Sequence, residues 1–426
     1  VGIGNARRFK ILLRKQKIMT QNQPVTFIIP CRNNLKYLQQ AVQSIETHYG
    51  EYHHIVILDD ASTDGTNDWV SSINKPNIIS YRNGGPDRVG HTVLYDIGIK
   101  LATTPIVTIL HSDMIVTQNY VGNMLKHLKP LTVVSATRIE PPLHPPGPEK
   151  YVKDFGMEPE TFDNSSFQKF VYETEYTTEG KTTKGIFAPW MLYKEDFAQI
   201  GGHDLLFAPM ELEDSDIFNR FHLQQYELIQ SRDAFVYHMT CRGSRFKDGI
   251  EIEREIPLPD GTIWYKPKDS EEYTKLRNNK FREWWRKWHT DVLHDDLMMP
   301  IVPNRYTTSF VVHNCNPHLL GVLEPWCDDI YIDCDFGSYV ASEENESMFK
   351  ITDKVHNIGD VMKNDVQILF DGSKLTNEHY TQFIKNIPFI VQQTDSIGSF
   401  EWDIFQLHIL NLRTKDMVQP FFKNIF

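Results

Sequence analysis

Cysteine is scarce in this chain, with five among 426 residues, an odd number without a Cys-x-x-Cys pair. A disulfide framework is not expected, and reduced thiols are the default reading. Cys315, Cys327 and Cys334 stand near His313 and His318, but the closely paired ligands of a structural zinc site are missing. Long apolar runs are lacking too. No stretch reaches the roughly 18–20 residues that span a bilayer, and no apolar core precedes a small-residue cleavage site. The expectation is a soluble, cytoplasmic protein with no integral membrane association. Positive charge is also short: 44 Lys and Arg against 56 Asp and Glu leave a formal net charge of -12. Phosphate-backbone binding needs clustered cations, so no nucleic-acid partner is expected.

What is present fits a multidomain globular protein. Hydrophobic residues make up 40% and charged residues 23%, and the 12% aromatic content suits flat ligands. The length implies two or three domains. Residues 1–18 form a basic extension (Arg7, Arg8, Lys10, Arg14, Lys15, Lys17) ahead of Met19, a candidate start. Whether the extension is native stays open; Phe9, Ile11, Leu12 and Leu13 also allow a membrane-surface helix. Residues 19–299 read as a catalytic domain and 300–426 as a smaller α/β accessory domain.

From Val25 the chain alternates strand and helix. Val25-Thr26-Phe27-Ile28-Ile29, Ile55-Val56-Ile57-Leu58 and Ile106-Val107-Thr108-Ile109-Leu110 are apolar runs of the kind covered on both faces in a parallel sheet. Between them lie helical spacings through Leu35, Leu38, Val42 and Ile45 and through Leu94 and Ile99. Repeated βαβ predicts a Rossmann-like, mostly parallel sheet with flanking helices. Two of the runs end in acids, Asp59-Asp60 and His111-Ser112-Asp113. Ligands of such sheets sit beyond the carboxyl ends of the strands, so these acids are expected to share one crevice. After Pro300, strands are expected at 308–312, 329–332, 366–370 and 389–391, with a helix through Leu319 and Leu323.

Thr26-Phe27-Ile28-Ile29-Pro30-Cys31-Arg32-Asn33-Asn34, Asp59-Asp60-Ala61-Ser62, His111-Ser112-Asp113, Ile200-Gly201-Gly202-His203-Asp204 and Glu213-Asp214-Ser215-Asp216 resemble, in that order, the landmarks of family 2 glycosyltransferases with the GT-A fold. The resemblance covers roughly 25–288, where Phe281-Arg282-Glu283-Trp284-Trp285-Arg286-Lys287-Trp288 is similar to a helix that closes such domains. It implies an inverting, metal-dependent transferase. The sugar would pass from a nucleotide diphosphate, UDP first among candidates, to a hydroxyl of a glycan, lipid-linked or protein acceptor.

The same resemblance assigns residues. Asp60 would contact the base, a carboxylate being suited to an imide N–H, with Pro30 and Cys31 flanking it and Asn33, Arg88 and Ser112 on the donor side. His111 departs from the family's Asp-x-Asp motif and would face the ribose. Asp113 and His238 would hold Mn2+ or Mg2+, an ion that neutralises charge on the leaving diphosphate. Arg242 and Arg245 would clamp the phosphates. Asp214, with Glu213 beside it, would be the general base for the acceptor hydroxyl, and Trp190 would line the acceptor side. A non-catalytic glycan- or nucleotide-sugar-binding protein would also accommodate His111. A nucleotidyltransferase should carry a glycine- and arginine-rich phosphate loop where Cys31-Arg32-Asn33-Asn34-Leu35 stands.

Overall fold

The apolar runs form strands because helices cover both of their faces. In β1 (Val25–Cys31) every residue is buried. Phe27 and Ile29 pack on one side with Leu38, Val42 and Ile45 of the helix Leu35–Tyr49. Ile28 packs on the other with Leu94, Tyr95 and Ile99 of the helix His91–Leu101. The computed structural model describes residues 23–240, 245, 250–259 and 261–426. The basic extension 1–18 and Arg242 lie outside them.

The described chain divides into two units. The first runs to Tyr273 and includes His294–Pro300 and Phe422–Phe426. Its sheet contains β1, β2 (His54–Asp59), β3 (Ile78–Arg82), β4 (Ile106–Ile109), β5 (Met114–Val116), β6 (Thr132–Glu140), β7 (Lys150–Val152), β8 (Thr182–Lys184), β9 (Trp190–Tyr193) and β10 (Glu227–His238). The main order is β3-β2-β1-β4-β9-β6-β10-β5, with β7 on β6 and β8 on β10. β1, β2, β3 and β4 are mutually parallel, as are β6 and β10, whereas β9 and β5 run against their neighbours. The expected mostly parallel sheet is observed. Because β2 and β4 flank β1 on opposite sides, strand order reverses at β1 and opens a crevice at the carboxyl ends of β1 and β4. A hairpin of β11 (Ile252–Pro257) and β12 (Ile263–Pro267) follows β10.

The second unit, Thr274–Leu293 with Ile301–Phe421, has its own six-stranded sheet. The order is β15-β14-β13-β16-β18-β17, built from β13 (Thr308–His313), β14 (Asp329–Ile332), β15 (Val355–Asn357), β16 (Val366–Asp371), β17 (Gly398–Trp402) and β18 (Phe405–Ile409). A second, smaller α/β unit is expected at the C-terminal end, and this sheet lies there. The run Phe389-Ile390-Val391, expected as a strand, lies instead in the helix Ile387–Thr394. Pro388 sits in that helix's first turn, where its fixed φ is already helical, and a short apolar run does not by itself separate strand from buried helix. The stretch 281–288 belongs to this unit rather than closing the first. Arg286 is buried against Glu324 at 2.6 Å, and Trp285 stacks on Trp326 at 5.0 Å.

Candidate active site

At the reversal of strand order, Pro30 and Cys31 end β1 while His111, Ser112 and Asp113 follow β4. With Asp60, Arg88, His238 and Arg245 they line one cavity of about 280 Å3. Nine of the expected site residues are thus brought together. Arg32, His91, Tyr95, His144 and Tyr273, not foreseen as site residues, complete much of its wall together with Glu211. The Pro-rich segment 141–148 delivers His144, whose pKa burial pulls down to about 3, leaving it neutral.

Asp60 anchors a loop. Its Oδ1 accepts from the Asn83 side chain and the Val89 amide, and its Oδ2 from the Gly90 amide, each at 2.9 Å. Arg32 donates to the Asp60 carbonyl. Asn33, expected on the donor side, is exposed, and its Oδ1 accepts from the Thr63 amide at 2.8 Å, so it ties two turns together. The Cys31 thiol is buried, and desolvation together with Asp59 raises its pKa far above the thiolate range.

His111, Asp113 and His238 each offer a ligand atom, all within 4.8 Å of one another. The fold brings them there by pairing β5, just after Asp113, antiparallel to the end of β10, so that His238 lies opposite Met114. His111, expected toward the ribose, is thus one of three residues that could hold a metal ion together. Its ring sits 5.3 Å from that of His238, and burial holds its pKa down to about 3. Behind His238, Glu140 at the end of β6 is fully buried. Its Oε1 receives His238 Nδ1 at 2.8 Å, and Lys150 and Arg138 approach at 3.0 and 3.2 Å. Burial alone would raise the Glu140 pKa, but Arg138 and His238 hold it well below the usual range. Burial likewise opposes charge on His238, yet Asp113 and Glu140 push its pKa up to about 9. The donor set fits a divalent ion: one carboxylate, two imidazoles, and an outer carboxylate that fixes one imidazole's tautomer.

The acids at the start of the helix Glu213–Leu223 lie beyond the cavity's immediate wall. Glu211 and Leu212, just before it, have φ of 84 and 66°, backbone that non-glycine residues rarely hold. Glu213 is buried and paired to His91 Nε2 at 2.6 Å. Burial raises the Glu213 pKa, but His91 brings it below normal, and Glu213 in turn raises that of His91 against desolvation. Asp214 is half-buried. Desolvation and then repulsion from Glu213 raise its pKa to about 6. Glu211 accepts a short hydrogen bond from Tyr273, whose ring lies 5.2 Å from the Arg245 guanidinium.

Trp190 is fully buried, with Phe197, Phe218, Phe221 and His203 around its ring at centroid distances of 6.0–6.3 Å. No ring face is open to a sugar, so the expected acceptor-side stacking is replaced by a core role. Its indole N–H makes no hydrogen bond of normal geometry but is near enough to Asp214 to draw that pKa down.

Residues 26–193 match the model of Glycosyl transferase family 2. The match is to this stretch, which is less than half of the chain. The matched stretch contains Asp60, Arg88, His111 and Asp113; Glu213, Asp214 and His238 follow it in the same unit. Among solved structures, the chain is similar to the mannosyltransferase PcManGT from Pyrobaculum calidifontis in complex with GDP-Man and Mn2+. Identity is 18% over 56% of this chain and 64% of that one, with a TM-score of 0.37. It is also similar to GalNAc-T7 with UDP, GalNAc and Mn2+, at 11% identity over 56% and 53%, TM-score 0.39. A third is S. aureus TarS 1-349, at 15% identity over 51% and 60%, TM-score 0.34. The chain thus spans 53–64% of the length of these structures. No curated protein matches it.

Proposed function

We propose that this chain transfers a sugar from a nucleotide diphosphate to an acceptor hydroxyl with inversion at the anomeric carbon. The observation that carries this reading is the cavity at the carboxyl ends of β1 and β4, which joins Asp60, Arg88 and the His111, Asp113 and His238 group. Arg88, Arg245 and the ion would bind the diphosphate, and Asp60 would meet the base. A carboxylate has about four acceptor positions, and three of those on Asp60 are filled. One remaining position suits the single imide N–H of uracil better than the two donors on the edge of guanine, which favours a UDP-sugar.

Asp214 would take the acceptor proton. A base works best when its pKa lies near the working pH, and a value of about 6 meets that requirement better than an ordinary carboxylate. His111, Asp113 and His238 would hold Mn2+ in preference to Mg2+, and the bound ion would supply charge stabilisation to the departing nucleotide. Glu140 would keep the His238 Nδ1 proton in place, leaving Nε2 for the ion.

The test is nucleotide release from UDP-, GDP- and dTDP-sugars, with Mn2+ and with chelator, in wild type and Asp113→Ala. Mn2+-dependent release of UDP that is lost in the variant is expected. Absence of both release and calorimetric binding for every donor would overturn the reading.

A further inference from the structure

His91 has a place in the site that the ion and the general base leave unexplained. It opens the helix His91–Leu101 directly after Gly90, whose amide is fixed to Asp60 at 2.9 Å. The next residue, Thr92, donates to the carbonyls of Phe207 and Pro209. The His91 backbone is therefore anchored on both sides. His91 forms part of the cavity wall and its Nε2 reaches Glu213 Oε1 at 2.6 Å, across 122 residues of sequence. The other oxygen, Glu213 Oε2, is buried without a hydrogen-bond partner. Two adjacent carboxylates on one first turn repel each other, and such pairs tend to share a proton unless one is separately neutralised.

We propose that His91 is a positioning residue for the transfer reaction: as a cation paired with Glu213, it keeps Glu213 ionised so that Asp214 alone exchanges protons with the acceptor. This rests on Asp214 being the base. The charged and titratable groups around the trio are consistent with it. His91 faces Glu213, Asp214, Glu211, Arg88 and His111, the last held neutral by burial, while both acids face His91 and His203. His203 already has a carboxylate of its own, since its Nδ1 is 2.8 Å from Asp96. Glu211 also faces Glu213 but is hydrogen-bonded to Tyr273, and the Tyr95 phenol is held protonated by burial and by Asp214 and Glu213.

The test compares wild type, His91→Gln and His91→Lys. Gln keeps a donor for Glu213 but removes the charge, and Lys restores the charge. With less positive charge nearby, ionisation of Asp214 becomes harder, so the rising limb of nucleotide release against pH should move up by about one pH unit in His91→Gln and back in His91→Lys. A uniform loss of rate with the limb unmoved would show a merely structural role and overturn the proposal. A readout without turnover is proton NMR of the His91 ring, identified as the signal missing from His91→Gln. Its titration should lie above that of an ordinary histidine and fall in Glu213→Gln. An ordinary titration insensitive to Glu213→Gln overturns the pairing. A displaced titration with no nucleotide release from any donor leaves the ion pair standing and overturns its role in transfer, together with the transferase reading.

Discussion

His238 Nδ1 lies 2.8 Å from Oε1 of Glu140, an acid with no exposure to solvent and with Arg138 and Lys150 against its carboxylate. This contact decides which imidazole nitrogen can serve an ion. Since Nδ1 donates to Glu140, Nε2 is the nitrogen turned toward Asp113, at 3.4 Å. Glu140→Gln should keep the fold but release the tautomer. Mn2+ affinity by calorimetry should fall by about 10- to 100-fold, the usual effect of losing an outer-shell partner. Unchanged affinity would remove Glu140 from the site.

Asp113 and Glu140, which both favour charge on His238, set a pH dependence for ion binding. With its pKa pushed up to about 9, His238 carries a proton at neutral pH in the metal-free protein, and that proton must leave before Nε2 can ligate. Mn2+ affinity should therefore climb by about tenfold per pH unit below that value, as expected for loss of one proton. His238→Ala should flatten this slope while weakening binding.

His111 distinguishes the proposed ligand set from one of carboxylates alone. Imidazoles suit transition metals better than Mg2+, which favours oxygen ligands. The wild type should bind Mn2+ well ahead of Mg2+, and His111→Asp should narrow the gap from both sides. Thermal-shift titrations with each ion would measure it without a substrate. An unchanged Mn2+ to Mg2+ ratio in the variant would place His111 outside the ligand set.

Asp214→Asn removes the proposed base while leaving the donor pocket untouched. Sugar transfer should drop by about 10²- to 10⁴-fold, the usual worth of general base catalysis, with UDP binding retained. The sign of the pH effect follows from a raised carboxylate pKa. The basic form is present above about 6 and is lost as pH falls through it, so wild-type turnover should decline on the acid side. Retention of wild-type transfer in Asp214→Asn would move the base elsewhere.

Much of this arrangement could be read before the structure because it is local. β1, β2 and β4 are buried on both faces, so they appear as continuous apolar runs, and the acids that follow β2 and β4 mark the crevice. Asp113 and His238 could be paired through the ordered landmarks. The supporting shell could not, since Glu140 meets His238 across 98 residues and His91 meets Glu213 across 122, and neither pair leaves a periodic signal. Trp190 illustrates the opposite error. Its type suits both sugar stacking and a core, and only the surrounding rings of Phe197, Phe218 and Phe221 decide for the core.

Gly90 joins these distant parts, and its replacement tests whether the loop that holds Asp60 and His91 must be rigid. Its φ is +83°, and a Cβ there would lie 1.9 Å from the Pro209 carbonyl oxygen, a backbone atom that cannot swing aside. Gly90→Ala would force the two segments apart, disturbing the amide held by Asp60 Oδ2 and the first turn that carries His91. The left-handed backbone alone should lower stability by about 1–3 kcal/mol, and the clash adds to it. Gly84→Ala provides the contrast, because nothing lies within 4 Å of a Cβ at that position, in the same loop. It should stay within about 0.5 kcal/mol of wild type, as exposed substitutions do. Denaturant unfolding of both variants, with UDP calorimetry on each, would check this. Should Gly90→Ala bind UDP and unfold as Gly84→Ala does, the loop would tolerate displacement and Asp60 could not owe its position to the Gly90 amide.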